Sequence, residues 1–259
     1  MRRTKAVVRY NFLGFLKNPR VILVFLLSIV LCFLLSERAI RVSEYYDTSM
    51  QAAEPFIWTF GDPTAILLAS LLLILMFSDV PKTGAVMPYY LTRMKRKEWM
   101  AAQFLYISLS TALYVCFILL VTGILCMRYT FPGNLWSETA ARLAYSKLGG
   151  FLGVPASVKA MESITPYGCM VQTGILMLLY SLTLCFLMLA VNLRFGKTKG
   201  VFAGVFYSLY GFLLEPEVIA KIMGLEQQER YKVNVLVGWI SPLNHGAYPG
   251  HSFGYDDLP

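Results

Sequence analysis

Charge is what this chain of 259 residues lacks: Asp, Glu, Lys and Arg make up 15% of it, against 57% hydrophobic residues. A soluble domain has no interior large enough to hide that apolar surface. The composition therefore predicts an integral membrane protein with several spans, and the mean hydropathy of +0.57 agrees. Histidine is almost missing. His245 and His251 stand six residues apart in a Gly/Pro-rich tail, and even with Asp256 and Asp257 they show no zinc-like spacing, so they read as polar surface. The five cysteines (Cys32, Cys116, Cys126, Cys169 and Cys185) form no CxxC pair, and all but Cys169 sit in or beside apolar runs. They read as small hydrophobes, not as a disulfide frame or metal site. A nucleotide loop is lacking too. Gly196-Lys197-Thr198 matches the end of one, but Val191 stands where its leading glycine belongs and no strand precedes it. Acids are outnumbered, 15 to 23, giving a net charge of +8. That excess does not point to nucleic acid, because the cations collect between alternate apolar runs, as the positive-inside bias predicts.

Taken in order, residues 1–19 open with Arg2, Arg3, Lys5 and Arg9, and place Val8, Phe12, Phe15 and Leu16 on one helical face. Such a helix is expected to lie in the interface of an anionic leaflet until Asn18-Pro19 breaks it. Five spans are expected, at 20–36, 57–78, 100–127, 169–193 and 200–214. The first is followed by Ser36-Glu37-Arg38 without a small-residue cleavage pattern and reads as an anchor, not a removable signal. Glu37 to Pro55 reads as an outer loop by its acids. In the second span Asp62 and Thr64 suit the cap of a helix that Pro63 starts. Residues 128–168 form a long outer segment with one short helix expected from Glu138 to Leu148. Gly200, Gly204 and Ser208, spaced by four, would let another helix approach the fifth span closely, while Phe202, Phe206 and Tyr210 read as packing or dimer contacts. Residues 218–240 hold two apolar pieces too short to cross, which suggests a re-entrant hairpin on the outer side, and 241–259 is a tail. The inner segments 1–20, 79–99 and 194–199 hold six, five and three of the 23 Lys and Arg, which places the amino terminus inside.

The chain is organised around residues 79–99, DVPKTGAVMPYYLTRMKRKEW, a basic inner loop whose second half can form a short helix across the membrane surface. Two readings are open for it. Tyr89, Tyr90, Leu91 and Met94 could fill an apolar groove of a soluble partner while Arg93, Lys95 and Arg96 form a charged rim and Trp99 closes the segment. Alternatively, the cations only hold the loop to anionic headgroups. Glu215 and Glu217, around Pro216 after the fifth span, mark either the outer rim or a helix break along a translocation path.

The segment YYLTRMKRKEWMAAQFL, Tyr89 to Leu105, resembles the part of ABC-2 type transporter permeases where a short helix ending in basic residues leads into the third span. The layout of the remaining chain is similar to that family as well. The resemblance implies an all-α membrane subunit of a bacterial exporter in the cytoplasmic membrane, with residues 1–19 as connecting helix and about Pro88 to Trp99 as coupling helix. It also implies outer half-spanning helices within 218–240. It further implies a second permease subunit, identical or not, and a separate cytoplasmic ATPase that binds the ATP, with no cofactor in this chain. One departure stands out: the family has six spans, and this sequence stops at Asp256-Asp-Leu-Pro259 where a sixth is expected to begin, so truncation is the expectation.

Two other classes compete with this reading. A membrane-embedded enzyme would need a His/Glu metal pair, a Ser/His arrangement or paired carboxylates within the spans, and the sequence offers none. A non-transporting membrane partner, such as an immunity or sensor subunit, shares every feature above and is separated only by a transport assay.

Overall fold

The computed structural model describes residues 2–81, 92, 94–145, 158–196, 198–214, 224 and 230–247. They are mainly α-helical. The first element, α1 (Arg2–Leu13), is followed by α2 (Pro19–Tyr46), with Asn18 accepting a hydrogen bond from the Arg20 N–H at 3.1 Å and proline in the first turn. The apolar run ends near Ser36, yet the helix continues ten residues into the stretch read from its acids as an outer loop. Ser36, Ala39, Val42 and Ser43 keep one face buried there, and Glu37 pairs with Arg41 one turn on. Falling hydropathy hid an unbroken helical period. Asp47, in the left-handed region at φ 51°, ends the helix.

Next come α3 (Glu54–Phe60) and α4 (Pro63–Met76), bent 79° from one another. The Asp62 carboxylate accepts from the Thr64 N–H at 3.2 Å and starts α4 at Pro63, so the cap that serves the second helix also turns the chain. The expected second span is thus a bent pair. The long α5 (Arg96–Cys126) starts inside the basic segment, where the Lys95 N–H donates to Glu98 at 3.2 Å. A single 3₁₀ turn, Met127–Tyr129, ends it. Two short strands, β1 (Met50–Gln51) and β2 (Thr130–Phe131), pair in parallel and join the chain after α2 to the chain after α5. Beyond them lie α6 (Glu138–Tyr145) and α7 (Val158–Ser163). The descending α8 (Pro166–Phe195) and α9 (Lys199–Leu213) meet at Gly196, and α10 (Arg230–Ile240) and α11 (Pro242–Gly246) complete the described chain.

Among the described residues three helices are long and apolar enough to cross a membrane: α2, α5 with its terminal turn, and α8. The bent α3–α4 pair makes a fourth if it is one span. The expected fifth span, α9, has 15 residues, about 22 Å of helix, against a hydrocarbon core of about 30 Å. Of the expected hairpin, residues 218–223 and 225–229 lie outside the described residues; its second piece is the helix α10. The expected tail contributes a packed element, since Ser241 caps α11 by accepting from the Asn244 N–H and donates to the Gly211 carbonyl at 2.9 Å.

The core lies where α2, α4, α5 and α8 meet, around Val24, Leu73, Tyr114, Ile118 and Met188. Large apolar side chains also point outward along the spans, among them Leu26, Val30 and Phe33 on α2, Leu109, Leu120 and Ile124 on α5, and Val171, Ile175 and Leu179 on α8. An apolar surface that extensive is not stable in water, whereas lipid covers it. The chain is an all-α membrane protein.

Candidate functional site at the basic end

The helices give the bundle two unlike ends. At one end Arg20 Nη1 donates to Ser78 Oγ at 3.0 Å, bringing the start of α2 to the end of α4, and the starts of α5 and α9 and the end of α8 lie there too. The sequence puts the basic segments at this end, and Lys5, Arg9, Lys17, Arg20, Lys95, Arg96, Lys97, Arg194 and Lys199 are all exposed. Ion pairs between described residues, Glu37–Arg41 and Glu138–Arg142, lie at the other end. The basic end therefore presents its positive charge to whatever it faces.

The spacing of apolar residues in α1 decides how that end is built. Val7, Val8, Asn11 and Phe15 share a buried face, because residues three and four apart lie on one side of a helix. Val7 and Val8 pack on Met94, Trp99 and Ala102 at the beginning of α5. Phe12 extends the contact, with its ring 5.3 Å from that of Tyr106, and Phe15 sits 6.3 Å from the same ring. Leu13 and Leu16 stay exposed at 66% and 73%. The amino-terminal segment thus spends most of its apolar face on the chain itself and turns Tyr10, Leu13 and Leu16 outward.

Of the residues singled out in the sequence, Tyr89, Tyr90, Leu91 and Arg93 lie outside the described residues, as do Glu215 and Glu217. Met94 and Trp99 are described, and they are 9% and 7% exposed, held under α1. They brace the segment from within, and among its described residues Lys95, Arg96 and Lys97 form an exposed row.

A residue that motif reading missed lies at the same end of the bundle. Asn192, on the last turns of α8 and 4% exposed, donates from Nδ2 to the Val80 carbonyl at 2.6 Å. Its Oδ1 accepts from the Gly200 N–H at 2.7 Å, near the start of α9. That N–H belongs to the first turn of a helix, where no intrahelical acceptor exists, and the cap residue Thr198 makes no side-chain cap. The available signal was a lone amide in the otherwise apolar run Leu189–Leu193. The glycine spacing was legible, and its role is internal: a Cβ on Gly204 would come within 3.0 Å of Met188 on α8 and 3.2 Å of Ile74 on α4. Ser208 continues the same face, its Oγ accepting from Ser70 Oγ at 3.1 Å and from the Tyr180 hydroxyl at 3.4 Å.

The opposite end carries a second buried polar group. Glu54, read from sequence as one of several outer-loop acids, is fully buried. Its carboxylate accepts from the Gln51 N–H at 2.9 Å, the Ser137 N–H at 2.7 Å and the Ser137 hydroxyl at 2.6 Å. It ties β1 and the start of α3 to the start of α6, closing a cap over this end. Among the described residues no group of three or more His, Cys, Asp or Glu could hold a metal ion.

The chain matches no protein-family model, no curated protein and no solved structure.

Proposed function

We propose that this chain is the permease subunit of an ABC-2 type exporter, moving its substrate across the bacterial cytoplasmic membrane with energy from a separate cytoplasmic ATPase. The observation that carries this reading is the construction of the basic end. α1 and the start of α5 form one packed unit rimmed by exposed cations. From that unit α5 runs on as a single helix of 31 residues, about 46 Å, to the cap at the far end. A soluble motor that displaces such a unit moves a rigid rod through the bundle, which a loop held only to headgroups would not do. On this reading the cations face the cytoplasm, ATP stays in the partner, and a second permease subunit, identical or not, completes the translocation path.

The test is replacement of Lys95, Arg96 and Lys97 together by Glu in the full chain, co-expressed with any ABC ATPase encoded beside it. The expected result is loss of co-purification and of transport, with membrane insertion intact. Unaltered ATPase binding and transport would remove the coupling assignment. Binding without transport in the unaltered pair would favour a non-transporting membrane partner.

A further inference from the structure

We infer that Asn192 is the strut that makes the chain at Val80, just after α4, and α9 move as one body; its part in energy coupling rests on the exporter reading above. One buried side-chain amide joins three elements. Its Nδ2 holds the carbonyl of Val80, where the loop leaves α4, and its Oδ1 holds the N–H of Gly200, where α9 begins. The orientation of the amide is fixed by its partners, since a carbonyl can only accept and an N–H can only donate. The Gly200 N–H lies in a first helical turn, where no intrahelical acceptor exists, and Val80 and Asn192 are both buried away from water.

The packing around the amide leaves no play. A Cβ on Gly200 would sit 2.4 Å from Asn192 Oδ1 and 2.5 Å from the Met188 carbonyl, so α9 is seated directly on the end of α8. Further along, Ser70, Ser208 and Tyr180 join α4, α9 and α8, and Ser241 holds Gly211 at the far end of α9. With both ends and the middle of α9 fastened, a displacement entering at Val80 is passed to the whole helix. Asn192 is a positioning residue: it touches no substrate, and it transmits.

Hydrogen exchange on the full chain in nanodiscs tests the strut without any partner. Asn192→Ala is expected to speed exchange of the Gly200 amide at least tenfold. Asn192→Asp keeps the acceptor and is expected to leave that amide near the unaltered rate, while the Phe77–Val80 turn loosens in both variants. Gly200→Ala pushes on the amide, and is expected to speed exchange at Phe77–Val80 in the native background but not in Asn192→Ala. Equal effects of Gly200→Ala in both backgrounds, or none in either, overturn the strut. With the ATPase present, Asn192→Ala is expected to leave co-purification intact and cut transport per ATP hydrolysed severalfold; an unchanged ratio overturns the role in coupling. If the unaltered chain binds no ATPase, the exporter reading falls, and the partner-free exchange result still decides the strut.

Discussion

Removing the buried carboxylate of Glu54 should open the cap at the end of the bundle remote from the basic surface. Glu54→Ala leaves three donors without an acceptor: the Gln51 N–H, the Ser137 N–H and the Ser137 hydroxyl. An orphaned buried polar group costs about 1–3 kcal/mol. The lower part of that range applies, because the Ser137 hydroxyl still accepts from the Ala140 N–H at 3.1 Å and the shortened side chain leaves room for water. About 3 kcal/mol in all is expected, which at about 1.4 kcal/mol per tenfold raises the open population of the cap roughly a hundredfold. Cys169 is the reporter. Its thiol is free and fully buried, packed with Ala140, Leu143 and Trp58 beneath α6, so a maleimide reaches it only when the cap lifts. Labelling of Cys169, followed by peptide mass spectrometry under conditions where closing outpaces reaction, is expected to accelerate by that hundredfold. Glu54→Gln keeps an acceptor for Ser137 but turns an amide donor toward Gln51, and should accelerate labelling about tenfold. A Glu54→Ala protein that elutes and scatters like the native chain, yet labels within threefold of it, would refute the reasoning.

Two further outcomes follow from the packing. Trp99→Ala removes the largest side chain between α1 and α5, in a class of substitution that costs about 3–5 kcal/mol, and should free α1. Trypsin cleavage after Lys5 or Arg9 should then become fast while the spans stay protected, and unchanged cleavage would mean that α1 is held by other contacts. Phe202 and Phe206 are 75% and 71% exposed on α9, with Phe206 stacked on Tyr210 at 6.1 Å, so replacing both with Ala should move thermal stability of the single chain by no more than about 0.5 kcal/mol each. A larger loss in detergent would place that face in an interior.

The sequence by itself determined the class of this protein, because apolar excess over a 259-residue chain is a bulk quantity that no arrangement can reverse. It also determined signals that act over a few residues: Asp62 before Pro63 as a cap, Asn18-Pro19 as a break, the close-packing face Gly200–Gly204–Ser208, and the basic character of one end. Each depends on neighbours within a turn or two, so composition and spacing suffice to show it. Tertiary structure alone decided where those signals lead. Hydropathy ended the first span at Ser36 because it averages over both faces of a helix, whereas burial of Ala39 and Val42 depends on the helices beside them. The 79° turn between α3 and α4 was hidden for a related reason, since a cap marks where a helix starts and not how it is aimed. Asn192 and Glu54 were least legible. A lone amide and a loop carboxylate look like solvent-facing groups until the partners of Asn192, 112 residues back and eight ahead, and the Ser137 partner of Glu54, 83 residues ahead, are brought within hydrogen-bonding distance. The basic segment joins both kinds of knowledge: its charge was written in the sequence, and the burial of Met94 and Trp99 under α1, beside the exposed Lys95, Arg96 and Lys97, was settled by packing between segments some ninety residues apart.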